Sequence, residues 1–292
     1  MWRIKCILSV SLIAVSLHLY IPTISARDVS FDSFVFSQQW LPTFCMHATE
    51  EVRIACKIPD MVKNWVIHGI WPESSKKPDP PAFCNSSWHF NESDIKSIED
   101  ELKIRWPNVF TSTGRTSFWK HEWEKHGTCA VDKPYIFNEK SYFEMGIKLN
   151  KQYNLRHIYE RSGIIAVNYT SYKCEDFRNV IKKNWNVESI ITCVHSKEHR
   201  QYILQTEICF DKSFKPIDCK RDQKCLQCSQ KENIWYPPLE NTATPDTCSN
   251  QQIENNFFTV GKRTPCKSFM GVCTYKNDNS GTSNGVSSRG YC

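Results

Sequence analysis

Apolar positions alternate or cluster in short runs along most of this chain, and each run points to an element. Residues 34–40 carry β-favouring aromatics and stop before Pro42, which predicts a strand leading into a loop between Cys45 and Cys56. A second short strand is expected at 65–68, ended by Gly69 and Pro72, and both strands are expected to lie centrally. Asn91-Glu-Ser-Asp stands before Ile95, Ile98 and Leu102, a spacing of three and four that predicts a capped amphipathic helix stopped at Trp106 and Pro107. Residues 118–126 contain no breaker and predict a helix ending in a glycine cap at Gly127. Further helices are expected at 139–153 and 175–185, and paired strands at 187–194 and 201–210, which are rich in Ile, Val, Thr and Tyr. Strands and helices do not alternate regularly, so the expected fold is α+β, a central antiparallel sheet with packed helices.

The ends of the chain break this pattern. Residues 1–26 combine Arg3 and Lys5 with an apolar run at 6–21 and small residues at Thr23, Ser25 and Ala26, which predicts a secretory signal peptide. The run is shorter than a bilayer span and is broken by His18, and no later stretch is apolar enough to cross, so no membrane insertion is expected. From Leu239 the periodicity fades, and 277–289 is nearly all turn and linker residues. A catalytic-size domain at 27–238 and a cysteine-containing extension at 239–292 are expected.

Export changes how the cysteines read. Of 15 cysteines, Cys6 lies in the leader, and the even remainder predicts seven disulfides. Cys225-Leu-Gln-Cys228 has no second pair with ligand spacing, which disfavours a zinc or redox site. Asn85, Asn91 and Asn168 each open a glycosylation sequon in a polar context. The net charge of +6 includes Arg3 and Lys5, and elsewhere lysines and acids are interleaved, so no basic stripe of the kind that coats nucleic acid is present.

Two segments carry chemistry. In Trp65-Val-Ile-His68-Gly-Ile-Trp71-Pro72-Glu73, a strand-end histidine beside an exposed-looking tryptophan predicts an acid next to a stacking surface, although a lone histidine near a tryptophan is more often structural. In Phe118-Trp-Lys-His121-Glu122-Trp-Glu-Lys125-His126-Gly127-Thr-Cys129, positions 121, 122, 125 and 126 share one arc of a regular helix. A solvated face usually pairs Glu with Lys, whereas two imidazoles suit proton exchange near neutral pH. A zinc-protease motif needs histidines four apart, and here they are five apart, so no metal is expected.

His68-Gly-Ile-Trp-Pro and His121-Glu-Trp-Glu-Lys-His-Gly-Thr-Cys resemble the two active-site blocks of the ribonuclease T2 family and occur in the family's order. The resemblance runs from about 34 to 238, including Ile234-Trp-Tyr-Pro, and does not cover the tail. It implies an α+β fold, secretion or a lysosomal or vacuolar lumen, and cleavage of single-stranded RNA, not DNA, with no cofactor. By resemblance, His126 is the base that takes the 2′-hydroxyl proton and His68 the acid that protonates the departing 5′-oxygen. Lys125 and a protonated His121 stabilise the phosphoryl charge, and Glu122 orients that cluster. The same pattern implies base contacts at Trp71 and Glu73, where members often carry Asp, and a second nucleotide against Phe118 and Gln38. Leu41 and Ile70 depart from the family's usual proline and leucine.

Family pairing implies Cys45–Cys56, Cys84–Cys129, Cys193–Cys228 and Cys209–Cys219. Cys174–Cys225 is a further suggestion, and Cys248, Cys266, Cys273 and Cys292 stay unassigned. A monomer is expected. The rival class is an extracellular signalling or toxin-like glycoprotein, whose tail or glycans engage a cell-surface receptor.

Overall fold

The computed structural model describes residues 31–76, 79–220 and 228–239, with the backbone of Lys267–Phe269 and Val272–Thr274. The expected leader, the cysteine pairings of Cys225 and of the tail, and nearly all of the extension lie outside the described residues.

The first half of the fold runs β1 (Ser33–Gln39), α1 (Leu41–His47), β2 (Val66–Glu73), α2 (Glu99–Arg105), α3 (Ser117–Glu122), a π-helical segment Trp123–Gly127 and the single turn α4 (Thr128–Ala130). There follow α5 (Glu139–Gln152), α6 (Leu155–Arg161), β3 (Val167–Tyr172), α7 (Cys174–Trp185), β4 (Ile190–His195), β5 (Gln201–Asp211), β6 (Pro216–Ile217) and β7 (Ile234–Tyr236). The extension contributes the antiparallel pair β8 (Lys267–Phe269) and β9 (Val272–Thr274).

The long strand β5 organises the sheet. Antiparallel β1 pairs with its residues 205–211, and β7 continues along that edge in parallel at 201–202. The other edge takes β4 and then β6, both antiparallel. The sheet is therefore antiparallel apart from one short parallel pair, and α6, β3 and β7 are elements that the apolar pattern did not announce.

Alternation along β1 sorts its side chains. Phe34 and Phe36 join the main core with Trp40, Trp106, Phe143, Ile208 and Phe210, whereas Val35 packs with Trp71 and Cys209 on the opposite face. Deep aromatic packing dominates this core, and each buried ring is worth a few kcal/mol (about 3–5 on truncation to alanine).

Four local expectations are corrected. The segment between Cys45 and Cys56 is largely helical, because Pro42 occupies the first turn of α1, where its missing N–H costs no bond. β2 runs on through Gly69 to Glu73 and forms the edge of the sheet; Trp106 Nε1 donates to the His68 carbonyl (2.9 Å) and the Tyr142 hydroxyl to that of Ile70 (3.1 Å), covering this edge. The helix expected from Asn91 starts at Lys96, since the Asn91 side chain caps its own turn at Ser93. Gly127 is no left-handed cap: its φ of −60° is helical, and it is small because a Cβ would lie 2.3 Å from the Trp123 ring.

The disulfides Cys45–Cys56, Cys84–Cys129, Cys193–Cys228 and Cys209–Cys219 are all formed. Cys174 is buried and forms no disulfide among the described residues.

Candidate active site

A strand irregularity delivers the first histidine. Ser37 pairs with Gly69 but Gln38 pairs with Ile67, so His68 is an extra residue in β2 opposite β1. Such a bulge interrupts the alternation of faces and re-aims one side chain. Ile67 and Ile70 stay in the main core, while the His68 ring turns toward Gln205 on β5, with Nδ1 2.6 Å from the amide oxygen. Gln205 Nε2 in turn donates to Glu207 (2.9 Å), which fixes the amide's orientation.

A widened helix delivers the rest. The π-helical turn after α3 brings donor atoms of His121, Glu122 and His126 within 4.8 Å of one another, with the His121 and His126 rings 6.3 Å apart. The regular-helix arc, and the five-residue spacing used against a metal, therefore do not describe this segment. The cation among these groups is Lys125, whose ammonium interacts with both His121 and Glu122 and opposes a metal ion there.

Trp71 joins the two halves. Its ring lies 4.9 Å from that of His68 and 5.6 Å from that of His126, so the histidines are no farther apart than those distances combined. Its Nε1 donates to Glu122 (3.1 Å), and it is only 7% exposed. The expectation of an exposed stacking surface at Trp71 is therefore corrected: the indole spaces the histidines. Glu73 ends β2, half-buried.

Burial sets the protonation. It pushes His68 down to about 4, assisted by His121 and Lys125 and opposed by the bond to Gln205. His121 is likewise pushed down to about 4, mainly by burial and then by Lys125. Burial raises the Glu122 carboxyl to about 8 against the Trp71 bond and the Lys125 charge, and lowers the Lys125 ammonium. At neutral pH Glu122 is a neutral acid.

A pocket beside His68 is lined by Gln39, Asn108, Phe110 and Phe118, with the Phe118 ring 5.9 Å from the histidine. Gln38 is absent from it. Alternation turns Gln38 into the core, where its amide donates to the Tyr153 carbonyl (2.9 Å) and accepts from Asn150 (2.8 Å); Gln39 takes the place expected of it. Sequence reasoning also missed Gln205 and Glu207, for which the signal was a Gln and a Glu two apart, hence on one face, between apolar Leu204 and Ile208.

Two imidazoles flanking an indole, with a buried ammonium and a neutral carboxyl beside them, define an acid–base enzyme on an α+β scaffold. The Ribonuclease T2 family profile matches residues 31–219. Ribonuclease Oy of Magallana gigas is 38% identical over 209 residues, covering 70% of this chain and 96% of that protein. Ribonuclease T2 of Homo sapiens is 33% identical over 212 residues, covering 69% and 74%. Among solved structures, RNase NT in complex with 5′-AMP superposes with a TM-score of 0.63 at 28% identity, covering 72% of this chain and 99% of that one. Human RNase T2 gives 0.60 at 31%, covering 71% and 99%. The chain belongs to the ribonuclease T2 family and is an endoribonuclease of that family.

Proposed function

We propose that this protein is a secreted ribonuclease that cleaves single-stranded RNA by transphosphorylation, with His126 as base and His68 as acid. His126 takes the proton from the ribose 2′-hydroxyl, the 2′-oxygen bonds to phosphorus, the P–O5′ bond breaks, and His68 gives its proton to the departing 5′-oxygen. The product is a 2′,3′-cyclic phosphate. In the second step the roles reverse: His68 activates water, and His126 returns a proton to the 2′-oxygen, leaving a 3′-phosphate.

Lys125 supplies fixed positive charge for the phosphoryl oxygens, and the buried His121 Nε2, which has no hydrogen-bond partner, is free to contact one of them. Neutral Glu122 removes the difficulty of a carboxylate beside a phosphate: it accepts from Trp71 and keeps an O–H to donate. No metal or cofactor enters either step. Gln39 and Phe118 lie on the acid's side, and the base of the leaving nucleoside is placed against their outer edge. Glu73 remains a candidate base contact at the far end of β2.

The observation that carries this reading is the placement of His68 and His126 on one indole, with Lys125 beside them. Purified protein should cut single-stranded RNA in EDTA and leave DNA intact. His68→Ala and His126→Ala should each lower cleavage about 10²- to 10⁴-fold while the circular dichroism spectrum stays that of the folded protein. Undiminished cleavage by either variant, or cleavage that EDTA abolishes, would overturn it.

Secretion, a cleaved leader at 1–26, a monomeric state and a catalytic body at 27–238 followed by a separate extension belong to the same proposal. Among the described residues no helix is long and apolar enough to cross a membrane. Asn91 and Asn168 are exposed, and Asn85 is half-buried, so glycans are proposed first at Asn91 and Asn168.

A further inference from the structure

Behind His68 lies a polar chain that the mechanism above does not use. β5 places Gln205 and Glu207 two residues apart, hence on one face, and their register partners on β1 are Gln39 and Ser37. The bulge turns His68 onto this same face. The His68 ring meets Gln205 Oε1 at 2.6 Å, and Gln205 Nε2 meets Glu207 Oε1 at 2.9 Å. Glu207 is 1% exposed. We infer that Glu207 and Gln205 are positioning residues that tether His68 through Nδ1, fixing its tautomer so that Nε2 alone faces the scissile phosphate.

The argument is one of donors and acceptors. The Gln205 Nε2 is the amide's donor and lies 2.9 Å from Glu207 Oε1, which leaves the amide oxygen toward the ring. An amide oxygen only accepts, so Nδ1 carries hydrogen. Gln205 cannot pass a proton onward, so the chain holds the ring without acting as a proton wire. The same bond serves both protonation states of His68: Nε2 can lose its proton to the 5′-oxygen and later accept one from water while Nδ1–H stays in place. The ring need not flip between the two half-reactions.

The surroundings make this tether consequential. Lys125 and His121 face His68 from the helical segment, Trp71 and Phe118 pack against its ring, and Gln205 is the group that favours its charged form. Glu207, accepting from Gln205 Nε2, strengthens that bond from behind by polarising the amide.

The inference rests on His68 being the acid, so its test separates the two claims. Nitrogen-15 spectra of the full-length native protein at neutral pH should show His68 protonated at Nδ1; a ring protonated at Nε2 overturns the tether whatever the catalysis. Kinetics then compare a dinucleotide with uridine 3′-(4-nitrophenyl phosphate), whose leaving group needs no proton. Gln205→Leu should cost about 10- to 100-fold on the dinucleotide and less than about threefold on the aryl ester. Glu207→Gln, which retains a hydrogen-bond acceptor for Gln205 Nε2, should show a smaller loss with the same selectivity. Equal losses on both substrates, or none, overturn the tether. Should His68→Ala itself fail to discriminate between the substrates, the acid assignment falls, and the spectra still decide the tether.

Discussion

A carboxyl group that is 1% exposed and accepts from an indole N–H makes stability depend on pH in a defined direction. Glu122 moves from 4.5 to about 8 on folding, so between those values the folded chain holds a proton that the unfolded chain has lost. Its contribution is complete below 4.5 and disappears as pH rises through 8. His68 and His121 act in the opposite sense: lowered from 6.5 to about 4, they contribute fully above 6.5 and lose that contribution as pH falls through 4. Glu122→Gln removes only the first effect, so relative to the native chain it should gain roughly 1–3 kcal/mol between about pH 5 and about pH 8 in urea melts. A constant difference would contradict the buried neutral acid. The same residues shape the rate. In the proposed mechanism His68 must be protonated to act as acid, yet in the free protein it loses its proton above about 4. Above that value kcat/KM should fall about tenfold per pH unit. The kcat profile should extend to less acidic pH, because bound phosphate favours the imidazolium.

At the scale of elements, function depends on two departures from regularity, the bulge in β2 and the widened turn after α3. Gly69 lies in the first and touches the second: a Cβ there would lie 2.2 Å from Trp71 Nε1 and 2.3 Å from Glu122 Oε2. Gly69→Ala should therefore break the Trp71–Glu122 bond, cost about 1–3 kcal/mol in a denaturant melt and lower kcat/KM; a fully active, fully stable variant would refute the packing argument. These departures also mark where sequence reading stops. Strands β1 and β5 and helices α5 and α7 were legible because their periods of two and 3.6 extend over most of their length. The bulge was not, since it is a property of the pairing between β1 and β2 and leaves no mark in either strand alone. Choosing Gln38 over Gln39 was an error of parity, decided by which face of β1 meets α5. Trp71 was misread for a related reason, because exposure depends on the helix packed over it.

For the molecule as a whole, a disulfide fixes how the two chemical segments meet. Cys84–Cys129 closes a loop of 45 residues onto the end of the helical segment, and the Phe83 N–H donates to the Lys125 carbonyl beside it. Replacing both cysteines by serine should cost roughly 4 kcal/mol from loop closure, read as a lowered denaturation midpoint. The segment 234–239 is tied to the core by packing. Tyr236 is fully buried and its hydroxyl accepts from Trp65 Nε1 (2.8 Å), the Pro237 carbonyl accepts from Trp40 Nε1 (2.8 Å), and Leu239 packs on the core. Leu239, which composition assigned to the extension, therefore packs with the core of the preceding residues. A chain cut after Leu239 loses Cys248, Cys266, Cys273 and Cys292, an even set, so the remaining thiols can all pair. It should keep its melting temperature and its kcat/KM on short oligonucleotides. A chain cut after Asn233 loses β7 with its Tyr236 anchor, a deficit of about 3–5 kcal/mol that should leave it unfolded at physiological temperature. If the longer truncation product also lost activity while remaining folded, the extension would be part of the catalytic body.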